Sequence, residues 1–139
     1  MPTQAADLAF GTSNETNVLE TLQTFFQQTL QRQGGYSVMD YTNPTRTLFV
    51  ELKTRRIRHN QYPTAIIGRN KVQFCNDPNK EYYFVFCYTD GLYYIKYEKD
   101  LFDSFEVSDY TRGERTDCEN RVQEVVYIPH EHLTRFPDS

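Results

Sequence analysis

The chain has 139 residues, a net charge of −4 and 38% hydrophobic residues, enough for one domain with a real core. No run approaches the roughly 18 consecutive apolar residues a membrane span needs, and the start Met1-Pro2-Thr3-Gln4-Ala5-Ala6-Asp7 lacks the basic and apolar stretches of a secretory signal. The acidic balance argues against a generally basic nucleic-acid binder, and three cysteines without metal-ligand spacing predict free thiols in an intracellular, reducing compartment, cytoplasm or nucleus.

The first predicted element is a helix over 13–33. Thr12 and Glu15 suit a capping box at its start, and Gly34-Gly35 suits its end. Val18, Leu22, Phe25, Phe26 and Leu30 form its apolar stripe. Glu15 lies on the same side of the helical wheel, whereas Glu20 lies opposite. A carboxylate on a core-facing stripe is costly unless it is paired or bound to a cation, so Glu15 is either a local cap or a candidate ligand. A first strand is predicted over 36–41, a turn at Thr42-Asn43-Pro44-Thr45, and a second strand over 47–53. Asp40 closes the first strand. On the second, alternation puts Glu51 and Lys53 on one face and Leu48, Val50 and Leu52 on the other.

From Glu51 to Lys71 six basic residues (Lys53, Arg55, Arg56, Arg58, Arg69, Lys71) stand against one acid. This segment is +5 and the rest of the chain −9. A local basic stripe on an acidic body suits phosphate contacts confined to one face; a solvated positive loop is the plainer alternative. Tyr62-Pro63 breaks the segment, and a short helix is predicted over 69–76. Strands over 82–88 and 92–97 flank the turn Thr89-Asp90-Gly91. Residues 99–120 read as an irregular surface excursion, 122–128 as a last strand, and Pro129 as the start of a helical turn reaching Phe136. The expected fold is α/β (α+β), one domain over 1–139 around a mixed central sheet flanked by helices.

Two acids and a lysine at the end of a core strand can bind Mg²⁺ and activate water on a phosphodiester. Each motif alone is short, and a cross-strand ion pair at Glu51 and Lys53 would explain it as well. The ordered set carries more: Gly11-Thr12-Ser13-Asn14-Glu15 with Val18-Leu19, then Asp40, then Phe49-Val50-Glu51-Leu52-Lys53. This set resembles the PD-(D/E)XK nuclease superfamily, the restriction-endonuclease-like fold that includes Holliday-junction resolvases and viral nucleases. The likeness spans about residues 10 to 97, and Met39 stands where that family often has proline.

The resemblance implies an endonuclease or other nuclease that hydrolyses phosphodiester bonds with Mg²⁺ or Mn²⁺. Asp40, Glu51, the Leu52 carbonyl and Glu15 would hold the metal, and Lys53 would orient or deprotonate the attacking water. Arg55, Arg56, Arg58, Arg69 and Lys71 are the expected nucleic-acid contacts, with DNA ahead of RNA as substrate. A catalytically inactive nucleic-acid-binding or protein-interaction module on the same fold is the alternative, and a structural α+β protein a third.

The remaining candidates are plainer. His59 reads as a surface residue of the basic segment, His130-Glu131-His132 as a helix start without a third ligand, and Cys75 as a thiol without a partner. Gln73 and Lys71 could line the site. Tyr82, Tyr83, Tyr88, Tyr93, Tyr94 and Tyr97 either stack single-stranded bases or, more simply, are half-buried sheet residues. A two-fold homodimer is expected, with the Tyr82–Tyr97 hairpin at a sheet edge; the alternative is a monomer that nicks or trims single strands, that edge blunted by Lys96 and Lys99.

Overall fold

A computed structural model describes residues 18–35, 37–111 and 122–137. Residues 18–26 are helical (α1). Strands β1 (Gln31–Arg32), β2 (Tyr41–Thr42) and β3 (Leu48–Thr54) follow, then β4 (Thr64–Gly68), helix α2 (Arg69–Phe74), and strands β5 (Glu81–Tyr88) and β6 (Gly91–Lys96). Helix α3 (Lys99–Asp103), strands β7 (Glu106–Thr111) and β8 (Val122–Pro129), a 3₁₀ turn (His130–His132) and β9 (Thr134–Arg135) complete the described elements.

The main sheet runs β1-β2-β3-β5-β6-β9, and β4-β8-β7 form a second sheet. Only β3 and β5 run parallel, in register from Leu48 opposite Glu81 to Thr54 opposite Cys87. The chain is therefore mixed α+β, as the sequence predicts. Strand alternation sorts the main sheet into two faces. Leu48, Val50, Val85, Cys87 and Leu92 join Val18, Leu22 and Leu30 in one apolar cluster. Phe49, Phe84, Phe86, Tyr93 and Ile95 join Ala65, Ile67, Phe102, Val126 and Ile128 in the other. One face is thus covered by α1, the other by a sheet as much as by helices α2 and α3.

Helix α1 ends seven residues before the predicted stop. Gln27 takes a left-handed backbone, φ 55°. Its N–H donates to Thr24 O at 3.3 Å and that of Gln28 to Gln23 O at 3.1 Å, the paired bonds of a Schellman stop. The Gln23 side chain then accepts from Leu30 N at 2.9 Å. Leu30 is buried as predicted, but beyond the helix. Sequence reasoning waited for a glycine, and here glutamine fills the left-handed position. A residue with a Cβ is strained there, so Gln27→Gly should raise stability by about 0.5–1 kcal/mol, read as a higher urea midpoint. A lowered midpoint would mean the strain is absent.

The predicted first strand shrinks to Tyr41–Thr42, paired with β3; Tyr36 lies outside the described residues. Its ladder gives way to side chains at its N-terminal side. Leu52 N donates to the Asp40 carboxylate at 2.8 Å, and the Val38 carbonyl accepts from the Lys71 ammonium. The turn after it is built by Asn43, whose Oδ1 accepts from Thr47 N at 2.8 Å and Leu48 N at 3.0 Å.

Three further expectations are corrected. The excursion predicted over 99–120 contains α3 and β7 in its described part, and Phe102 and Phe105 are buried there. Its polar appearance comes from β7, whose residues Glu106, Val107 and Asp109 are exposed. The hairpin β5–β6 is not a sheet edge, because β3 flanks one side and β9 the other. Tyr82, Tyr88 and Tyr93 are buried, so the tyrosines are sheet residues and not a stacking platform, and the strand-edge argument for a homodimer falls with the edge. The turn after Pro129 is a single 3₁₀ turn. It is followed by β9, which carries Phe136 onto the α1 face. Strand β4, absent from the sequence reading, pairs with β8 from Thr64 opposite Pro129 to Gly68 opposite Val125.

Candidate active site

The site forms where β3, the bend before β2 and helix α2 meet. Strand β3 is an interior strand and buries Leu48, Phe49, Val50 and Glu51 in succession. Alternation puts Glu51 on the Phe49 side, against the larger cluster, with Lys53 one step towards the strand end. Glu51 is only 2% exposed. Its Oε2 lies 3.5 Å from Lys53 Nζ and 3.3 Å from Lys71 Nζ. Its other oxygen, Oε1, is buried and has no hydrogen-bond partner among the described residues. A buried, unsatisfied carboxylate oxygen is costly.

Burial pushes the Glu51 carboxyl above its ordinary range, and the negative charge of Asp40 adds to this; Lys71 and Lys53 pull it back only in part. Asp40 is half-buried at the mouth of the same site, its Oδ2 held by the backbone N–H of Leu52. That bond fixes one acid to the residue following the other. Asp40 and Glu51 are near enough for the charge of one to raise the carboxyl of the other, and Lys53 reaches Glu51. Glu15 lies outside the described residues. The position before Asp40, Met39, is 1% exposed and joins the larger core cluster.

The donor set fits a hard divalent cation. Asp40 and Glu51 offer oxygens only, one of them buried and unused, and ions such as Mg²⁺ need few protein oxygens because they retain water. Among the described residues no three His, Cys, Asp or Glu side chains gather as a complete metal site.

The basic residues divide. Lys71 turns inward onto Glu51 and Val38. Arg69 pairs with Glu124 at 2.8 Å. Arg55, Arg56 and Arg58 are exposed on the segment leaving β3. That segment is tied down: Arg55 N donates to Cys87 O at 2.9 Å, and Thr89 N donates to Ile57 O at 3.0 Å. His59 N donates to Asp90 Oδ1 at 2.9 Å, and His59 Nδ1 lies 2.6 Å from Asp90 Oδ2. The His59 ring also stacks on Tyr93 at 4.4 Å. Burial raises the Asp90 carboxyl, but its hydrogen bonds and charge contact with His59 outweigh this and leave it below its ordinary range. His59 is therefore a structural pin of the basic segment.

The plainer candidates stay plain. Cys75 is buried and its thiol is pushed up to about 12 by burial, which makes it a poor nucleophile at neutral pH. His130 and His132 sit on the 3₁₀ turn, with the His132 ring 5.4 Å from that of Phe105. Gln73 is exposed and lines a groove of about 1070 Å³ beside α2 and α3, which none of Asp40, Glu51 and Lys53 lines. The one contact sequence reasoning undervalued is that of Lys71 with Glu51. Its signal is a lysine on the helix predicted over 69–76, the first helix after the Glu-Leu-Lys motif.

Helix, four strands, helix and strand in chain order (α1, β1 to β4, α2, β5), with Asp40 bonded to the Leu52 N–H inside the Glu-X-Lys of β3, make the arrangement expected of a PD-(D/E)XK-type core. A family model described as "Phage putative PDDEXK endonuclease" matches residues 4–136, and the chain belongs to that family. No curated protein matches it.

Proposed function

We propose that the protein is a Mg²⁺- or Mn²⁺-dependent endonuclease acting on nucleic acid, DNA ahead of RNA. The observation that carries this reading is the buried Oε1 of Glu51, without a hydrogen-bond partner among the described residues, beside the Asp40 carboxylate. Nothing in a structural ion pair calls for that oxygen to be left open. Asp40, Glu51 and the Leu52 carbonyl would hold the metal, with Glu15 as a further ligand or a water-mediated one. The metal supplies a lowered pKa for a bound water and charge stabilisation on the phosphate. Lys53, its side chain 27% exposed at the strand end, is free to reach outward. Its role is to orient the attacking water and offset negative charge on the phosphate. Two buried free thiols, Cys75 and Cys87, suit work in a reducing compartment.

Cleavage should require Mg²⁺ or Mn²⁺ when single-stranded, duplex and branched DNA and RNA are compared as substrates. Divalent-independent cleavage, or none on any substrate, would overturn the reading and leave the inactive binding module.

Arg55, Arg56 and Arg58, all exposed, form the proposed phosphate-contacting face; Arg69 and Lys71, held by Glu124 and Glu51, are its further candidates. With Ca²⁺ in place of the catalytic metal, log affinity should fall with log salt by about 0.7–0.9 per phosphate neutralised. Changing Arg55 and Arg58 to Gln should flatten that slope by roughly two such steps. Equal slopes in the parent and the double variant would put the nucleic acid on another face. No helix among the described residues is long and apolar enough to cross a membrane.

A further inference from the structure

We infer that Lys71 is a positioning residue that braces the two metal-binding carboxylates against each other; this rests on the metal-dependent function proposed above. The argument begins with where its contacts go. Lys71 stands on α2, an element that carries neither acid. Its ammonium is 3.3 Å from Glu51 Oε2 and also donates to the Val38 carbonyl. Val38 is two residues before Asp40, in the bend that presents that acid. One side chain therefore ties the Glu51 arm of the site to the Asp40 arm.

Lys53 cannot do the same. It stands two residues from Glu51 on the same strand, at 3.5 Å, so it holds Glu51 only relative to its own backbone. Both lysines reach the same oxygen, Oε2, and Oε1 is left buried without a hydrogen-bond partner among the described residues. This division makes Oε1 the Glu51 oxygen that no lysine occupies.

The brace is itself anchored. The Phe74 ring on α2 meets Phe49 at 5.3 Å and Tyr82 at 5.9 Å, and Val72 packs against the same core. The Lys71 carbonyl accepts from Cys75 Sγ at 3.4 Å. The lysine side chain is 21% exposed, so its reach is set by packing more than by solvent.

A simpler role would be neutralisation of Glu51 by charge alone. The two roles predict opposite signs. A cation beside a metal site repels the metal, so at a pH high enough to keep Glu51 ionised, removing its charge alone should tighten metal binding. Removing a brace should loosen it, and partners that orient metal ligands are typically worth about 10–100-fold in affinity.

The test is Mn²⁺ binding to the full chain, followed by electron paramagnetic resonance or calorimetry, with no substrate present. Lys71→Met should bind Mn²⁺ at least about tenfold more weakly than wild type, and Lys71→Arg, which keeps a cation and donors, should recover part of the loss. Binding by Lys71→Met that equals or exceeds wild type overturns the brace. If Lys71→Met does not fold, Lys71→Ala carries the test, because it too removes the bonds to Glu51 and to Val38. It too should bind more weakly, and binding at wild-type strength overturns the proposal. Glu51→Gln measured alongside separates the two levels of the argument. Wild-type binding that is lost in Glu51→Gln but kept in Lys71→Met removes only the brace. A wild type that binds no Mn²⁺ removes the metal site and the brace together.

Discussion

Lys53→Ala and Glu51→Gln should each abolish divalent-dependent cleavage while the chain stays folded. Glu51 is buried inside the core-facing surface of β3, so glutamine is the substitution that preserves its volume; it removes the charge and half of the acceptor capacity at the oxygen left open. Lys53 sits at the end of the strand with a partly exposed side chain, and alanine there leaves no closed cavity. Loss of one charge-stabilising contact costs about 10²–10³-fold in rate, and loss of a metal ligand is expected to cost no less. The measurement is the single-turnover cleavage rate at saturating Mg²⁺ or Mn²⁺, with far-ultraviolet circular dichroism and thermal unfolding as controls for the fold. Wild-type rates in both variants would take Glu51 and Lys53 out of the mechanism and leave them as an ion pair.

The parts of this molecule legible in the sequence were those governed by a two-residue period. Leu48 to Lys53 divide between the two faces as alternation requires, and the meeting of Asp40 with Glu51-Leu52-Lys53 follows from a short hairpin. The misreadings have one physical origin: local signals were trusted where side chains do the work of backbone. Gln27 stops a helix in the conformation expected of glycine. Asp40 and Lys71 take the groups that would have prolonged the first strand. Strand β4 owes its form to β8, far along the chain, and β7 pairs with that same strand; neither carries a strong pattern of its own. The inward turn of Lys71 belongs with these, since a lysine in a basic run reads as a phosphate contact until its helix is placed against the sheet.

The metal-free protein should be least at ease at neutral pH, and the ion should reverse that. Glu51 has its carboxyl raised from a reference of 4.5, first by burial and then by Asp40. An acid whose folded pKa lies above its unfolded value contributes stability that is fully present below the unfolded value. That contribution is lost as pH rises through the folded value. Without metal, wild-type stability should therefore carry a downward contribution from Glu51 as pH rises from about 4.5 towards neutrality, and Glu51→Gln should lack it. At pH 7 and in the presence of a chelator, Glu51→Gln should melt several degrees above wild type. Added Mn²⁺ should restore the wild type by mass action, about 2.7 kcal/mol at one hundred times Kd, on the order of 10 °C for a chain of this length. Glu51→Gln should gain little from the same addition. Asp40→Asn should show a smaller version of both effects, because it removes the repulsion but keeps an oxygen for Leu52 N. Calorimetric melting between pH 4 and pH 8, with and without Mn²⁺, reads all of this in one series. A wild type whose melting point ignores Mn²⁺ would deny the site its ion. A Glu51→Gln variant with the wild-type pH slope would mean that Asp40 and the two lysines, not the burial of Glu51, set the energetics of this corner of the fold.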